Sequence, residues 1–252
     1  MKLLFLFYKI VLLNCLNVWL IYSKKENYTR LFGKLYFLFQ KQFGLISKFY
    51  HSKKALHLPF FVSLYAKVKG VNKKNFIVNI DKPTFGCCRI GVAGSETGLF
   101  IKKRSAIYIH NKGEIVINSP IALSRGIYLE ANGGKIIIGK EIKANTGCYF
   151  EAQDALIEIG DYTSFGWNCV VKNCDGHTIL LNGEELENKG DIHIGKHCWI
   201  CSESSILKNG YLGDDCVLAY KSILTKKISD KNGCLYAGIP AKLIKENISW
   251  KV

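Results

Sequence analysis

The chain has 252 residues, enough for one substantial domain and an appendage. Its 48% apolar content excludes a disordered chain, and 23 glycines beside only 4 prolines exclude a collagen-like one. The net charge of +15 suits an anionic partner, but residues 1–75 hold 14 Lys and Arg against one acid, Glu26, so 14 − 1 = +13 of the total lies there. The remainder is close to neutral and carries no recognisable nucleic-acid motif, so no nucleic-acid partner is expected.

Residues 3–22, LLFLFYKIVLLNCLNVWLIY, are long enough to cross a bilayer. Lys9, Asn14 and Asn17 interrupt the run, and it is too long for a tidy signal peptide. Next, Tyr28, Leu31, Phe32, Leu35, Tyr36, Phe39, Phe43, Ile46 and Tyr50 follow helical spacing. Lys34, Lys41 and Lys48 recur on the other side. This pattern predicts a basic amphipathic helix, and residues 1–50 are expected to meet a membrane surface, either spanning it or lying flat. The alternative is that the apolar stripe packs on the body of the protein. Residues 1–75 are taken as this helical segment and 76–106 as an irregular lead-in.

From residue 107 onward the pattern changes. The blocks Lys112–Ile117 (KGEIVI), Gly133–Ile138 (GGKIII) and Asp154–Ile159 (DALIEI) start 21 residues apart. A fixed period of this length signals a solenoid. Inside it runs a period of six: Ile194, Ile200, Ile206, Leu212, Leu218 and Leu224. Shorter sets, Ile138, Ala144 and Phe150, then Ile159, Phe165 and Val171, keep the same step. Small residues follow the apolar one, as at Gly160, Gly195 and Gly213. A helix repeats at 3.6 and a flat strand at 2, so neither gives six. A triangular coil does: each flat face takes about six residues, one of which points inward, and small residues permit close approach at the corners. Residues 107–252 are therefore expected to form a mainly β, parallel β-helix.

Ten cysteines in a chain of this length, without a clear signal cleavage site, are read as free thiols. Cys148, Cys169, Cys198 and Cys216 fall at the small-residue slot and are expected to be buried fillers. Cys198 and Cys201 resemble half of a zinc site, but no second pair stands at suitable spacing.

The rhythm breaks once. From Ile159 to Ile194 the interval is 35 rather than 21, so about 14 residues are inserted, and the polar excursion at about 173–190 is the expected active-site loop. It carries Asp175-Gly176-His177 and then Glu184 and Glu185, which look like a solvated face. A histidine suits proton removal near neutral pH, although a lone loop histidine is more often merely solvated.

These repeats resemble the hexapeptide-repeat acyltransferases over about residues 107–252. Asp175-Gly176-His177-Thr178-Ile179 is similar to the D-x-H-x-I segment of bacterial polysaccharide O-acetyltransferases. Ile192 to Ile200 resembles their I-x-I-G-x-x-V-W-I run, and Gly233–Glu246 resembles their closing A-G-x-P-A-K-x-I segment. The resemblance implies a left-handed β-helix, against the usual crossover hand, and assembly as a homotrimer. It implies His177 as catalytic base with Trp199 beside it, and acetyl-CoA as donor. Ala219, Ala237, Pro240 and Lys242 are implied at the coenzyme A cleft, with no metal. It leaves Asp175 either orienting His177 or solvated.

The expected activity is acetyl-CoA-dependent O-acetylation of a hydroxyl on a cell-surface glycan or its precursor. The expected location is the cytoplasmic side of the inner membrane. N-acetylation of an amino sugar nucleotide and a non-catalytic scaffold are the alternatives. A gamma-class carbonic anhydrase arrangement through His193 and His197 fits the His177 context less well.

Overall fold

A computed structural model describes residues 60–251, apart from 64–65, 73, 83, 85–86 and 94–103. The expected amphipathic helix and membrane contact lie outside the described residues. Among the described residues there is no helix, so none is long and apolar enough to cross a membrane.

The chain winds as a three-faced parallel β-helix. The first face stacks Phe60–Val62, Cys88–Ala93, Ile121–Ser124, Ile142–Ala144, Ser164–Phe165, Trp199–Ile200, Val217–Leu218 and Leu235–Gly238. The second stacks Lys67–Lys69, Ala106–His110, Tyr128–Asn132, Tyr149–Gln153, Val170–Lys172, Ser205–Leu207 and Ile223–Leu224. The third stacks Phe76–Asn79, Glu114–Asn118, Lys135–Ile138, Leu156–Ile159, Ile192–Ile194 and Tyr211–Leu212. Every strand pairing between successive coils is parallel, so identical positions lie above one another.

That register explains the six-residue period. Ile194, Ile200, Ile206, Leu212, Leu218 and Leu224 are each 2% exposed or less and form part of one continuous core. One or two side chains per face enter a narrow interior, and each coil covers the apolar row of its neighbour. Phe150 and Phe165 meet edge to face within that core, their ring centres 5.2 Å apart.

The corners obey two rules. Coils approach closely beside the small residues: a Cβ added to Gly160 would lie 2.6 Å from the carbonyl carbon of Gly195. Two residues further on, the backbone enters the left-handed region, at Glu141, Tyr162, His197 and Asp215. None of these is glycine, so each corner carries a strain of about 1 kcal/mol that the stacked coils must offset.

The β-helix begins earlier than residue 107. Phe60–Val62, Lys67–Lys69, Phe76–Asn79 and Cys88–Ala93 already pair with later coils on all three faces. So 60–75 is not helical where described, and 76–79 and 88–93 are solenoid and not lead-in. At the other end, Ala241–Lys245 turns back antiparallel on Leu235–Gly238 and covers the last edge of the first face.

Candidate active site

The inserted segment leaves the second face after Lys172 and rejoins the third at Ile192. Its foot is tied by the backbone. Asp175 N–H donates to the Asn188 carbonyl (2.8 Å) and Gly190 N–H to the Asn173 carbonyl (3.0 Å). Asn173 is fully buried and accepts the N–H of Gln153 at 2.8 Å, which fixes where the excursion departs. Beyond the foot, Leu180–Leu181 and Glu184–Glu185 form a small antiparallel ribbon. Asn182 and Gly183, at φ 54° and 88°, make its two-residue turn.

His177 stands on the outgoing leg of this ribbon, exposed to solvent. Its ring makes no hydrogen bond to any described residue. Glu184 and Glu185 are exposed, as a solvated face requires. Asp175 does not turn to His177: its carboxylate binds the ammonium of Lys208 on the following coil. The same ammonium donates to the Glu187 carbonyl at 2.6 Å, so Lys208 holds both legs of the excursion. Ile179, Leu180, Leu181 and Leu186 leave 55%, 61%, 57% and 42% of their surface in solvent, an apolar patch on a polar loop. Beside the foot lies a groove of about 660 Å³, lined among others by Asp154, Glu187, Lys189, His193 and Tyr211.

The four residues expected at the coenzyme A cleft come together at the C-terminal end of the first face. Leu218 pairs with Tyr236, and Ala219 N–H donates to the Tyr236 carbonyl at 2.9 Å, which sets Ala219 beside Ala237. Ala237 in turn pairs across the hairpin with Lys242, and Pro240 is in the exposed turn between. Both alanines are half-buried and Lys242 is exposed, so a strip of small residues ends at an exposed cation.

Trp199 is on this same face, with 43% of its surface exposed. The excursion springs from the corner between the second and third faces. The structure therefore places Trp199 on the same face as Ala219 and Ala237 and does not bring it into ring contact with His177 within one chain.

The other histidines separate. His193 faces Glu158 at 3.2 Å and His197 faces Asp215 at 2.8 Å. Among the described residues no group of three or more His, Cys, Asp and Glu side chains is placed to hold a metal ion. Cys148, Cys169, Cys198 and Cys216 are buried fillers, as is Cys234 in the next coil. Burial pushes the Cys198 thiol up to about 12 and that of Cys201 up to about 11, so both are neutral thiols at pH 7.

The sequence gives no sign of Trp250. Its ring stacks on His197, with centres 4.3 Å apart and planes 7° from parallel, and it sits against Trp199 at 5.9 Å. The contact spans 53 residues of sequence.

No family model matches the chain. It resembles hexapeptide-repeat acyltransferases, and all but one of the relatives and structures below are named as acetyl- or acyltransferases. A probable macrolide acetyltransferase of Lysinibacillus sphaericus is 30% identical over 87 residues, 34% of this chain and 46% of that protein. The match thus spans about half the length of that relative. An uncharacterized 24.8 kDa protein in the cps region of Klebsiella pneumoniae is 29% identical over 186 residues, 73% of this chain and 79% of that one. Among solved structures, the polySia-specific acetyltransferase NeuO aligns with a TM-score of 0.46 and 20% identity, covering 77% of this chain and 78% of that one. A point mutant of the N-acyltransferase AntD from Bacillus cereus, in complex with dTDP and coenzyme A, aligns with a TM-score of 0.48 and 18% identity, covering 79% and 90%.

Proposed function

We propose that the protein is an acetyl-CoA-dependent O-acetyltransferase whose acceptor is a hydroxyl of a cell-surface glycan or its precursor. The observation that carries this reading is the gathering of Ala219, Ala237 and Lys242 at the end of a β-helix that presents His177 on an inserted ribbon. The macrolide acetyltransferase supports acetyl transfer, and the relative from a cps region supports a surface-glycan acceptor.

In this mechanism His177 removes the proton of the attacking hydroxyl, which is too weak a nucleophile unaided. Nothing in the described chain competes for its imidazole, so both ring nitrogens are available. The hydroxyl oxygen attacks the thioester carbonyl. Backbone N–H groups and the Trp199 indole stabilise the oxyanion that forms, and coenzyme A leaves as the thiol, taking the proton from the imidazolium. Ala219 and Ala237 permit a close backbone approach to the pantetheine arm, and Lys242 meets the phosphates as a point charge. These steps need no metal.

A homotrimer fits this arrangement. His177 and Trp199 belong to different sides of the coil, so a neighbouring copy can set the ribbon of one chain against the first face of the next. The exposed Ile179, Leu180, Leu181 and Leu186 supply an apolar surface for such a contact. The basic N-terminus would hold the trimer at the cytoplasmic membrane, where lipid-linked glycans are assembled.

The test is acetyl transfer from radiolabelled acetyl-CoA to bacterial glycans and to amino sugar nucleotides, with His177→Ala beside the wild type. Labelled ester on a glycan, lost by roughly 10²–10⁴-fold in folded His177→Ala, supports the reading. Label on an amine would replace it with the N-acyl alternative, and full activity in His177→Ala would remove His177 from it.

A further inference from the structure

After the hairpin closes the first face, the chain continues for several residues and folds back over the last coils. Three ties hold it there. Lys231 pairs with Glu246 at 2.8 Å, Ile248 N–H donates to the Gly233 carbonyl at 2.8 Å, and the Trp250 indole N–H donates to the His197 carbonyl at 2.7 Å. The third tie is anchored in its turn. His197 occupies a left-handed corner (φ 51°), its N–H donates to the Asp161 carbonyl at 2.8 Å, and its Nδ1 lies 2.8 Å from Asp215 Oδ1. A ring clamped in this way is a rigid platform, and Trp250 lies flat on it.

Trp199, by contrast, has little of its own to fix it. Its neighbours along the face are Ser164 in the coil below and Val217 in the coil above, both short. Its indole N–H makes no hydrogen bond to any described residue. The ring that limits its swing is Trp250, tilted 37° against it at 5.9 Å.

We propose that Trp250 is a positioning residue: the C-terminal strap, clamped on His197, sets the orientation of the Trp199 indole at the acyl-transfer site. This rests on the acyltransferase reading for its kinetic consequence, though not for its structural one. An indole free to rotate presents its N–H to the developing oxyanion only part of the time. The loss therefore falls on the chemical step and not on binding of the donor.

The experiment uses the full-length protein labelled with 5-fluorotryptophan. The four tryptophans give four fluorine resonances, assigned by single substitutions. In Trp250→Ala the Trp199 resonance is expected to shift and broaden. In the same variant kcat is expected to fall roughly ten- to hundredfold while KM for acetyl-CoA stays within about twofold. Trp250→Phe keeps a stacked ring without the indole N–H and is expected to recover most of kcat. An unchanged Trp199 resonance and unchanged kcat in Trp250→Ala, with only a lower melting temperature, overturns the proposal and leaves the strap as a stabilising cover. If the wild type transfers no acyl group, the acyltransferase reading fails, and the Trp199 resonance alone decides whether Trp250 positions it.

Discussion

Asp175 is bound by Lys208 of the following coil and not by His177, although only Gly176 separates the aspartate from the histidine. In catalytic triads a carboxylate that orients the histidine is worth orders of magnitude in rate. The ion pair here is part-exposed, with side chains 25% and 31% accessible, and its role is to close the foot of the excursion. Asp175→Asn is therefore expected to keep kcat/KM within about fivefold of wild type, as suits a surface pair worth ~1 kcal/mol or less. Lys208→Ala removes the Asp175 contact and the hydrogen bond to the Glu187 carbonyl together, so it should cost more. Steady-state kinetics on the two variants separates the cases. A large loss in Asp175→Asn with little in Lys208→Ala would return the carboxylate to an orienting role.

Packing at the corners makes a second prediction. At Gly160 an added Cβ would meet the Gly195 carbonyl carbon at 2.6 Å and the Lys196 nitrogen at 2.7 Å, both of them backbone. Neither can swing away as a flexible side chain would, so two coils must part. Gly160→Ala should cost about 1–3 kcal/mol, and Gly160→Val more, because overpacking in a stacked core has no easy relaxation. Denaturant melts of the folded chain measure it; unchanged midpoints would mean that the coils are not as close as described.

The period of six was legible because the same position of each face is buried coil after coil, and Ile117, Ile138 and Ile159 keep strict steps of 21. The early coils escaped the same reading for a physical reason. Ile90 and Leu123 pair across adjacent coils yet are 33 residues apart, and Val78 and Ile117 are 39 apart. The longer intervals there hide the repeat without breaking the strand pairing, since chain length between paired strands costs little entropy. At the site, the inserted segment announced itself as a broken rhythm. The Asp175–Lys208 pair and the Trp250–His197 stack did not, because each joins residues 33 and 53 positions apart that only the coiling brings together.

Lys242 tests the donor end of the proposed site. It is exposed, lies opposite Ala237 in the closing hairpin, and is free to point a charge at a phosphate. Lys242→Ala should raise KM for acetyl-CoA severalfold and leave kcat nearly unchanged, the pattern of lost uniform binding. The effect should shrink with added salt, since the charge is in solvent. Acetyl-pantetheine, which lacks the nucleotide phosphates, should be used equally well by wild type and variant. A variant that loses kcat instead, or loses with both donors alike, would place Lys242 elsewhere in the chemistry.

Cys201 occupies a demanding position. Its N–H donates to the Leu218 carbonyl just as that of Ala219 donates to the Tyr236 carbonyl, so it stands in the same small-residue column one coil below Ala219. If the proposed donor lies along this column, a thiolate there would attack its thioester and take the acyl group. Partial burial opposes this: withdrawing the thiol from water disfavours the charged form and lifts its pKa up to about 11. At pH 8 the thiolate fraction is then about 10⁻³, and the thiolate is the reactive species. Iodoacetamide should label Cys201 slowly in the folded protein at pH 8, and about tenfold faster for each pH unit toward 11. In denaturant, where the thiol regains its ordinary pKa, labelling at pH 8 should be fast. Peptide mapping of the alkylated chain locates the label. Cys201→Ser, of similar size, should keep wild-type transfer. Rapid labelling of native Cys201 at pH 8, or an inactive Cys201→Ser that remains folded, would instead mark this thiol as a participant in the reaction.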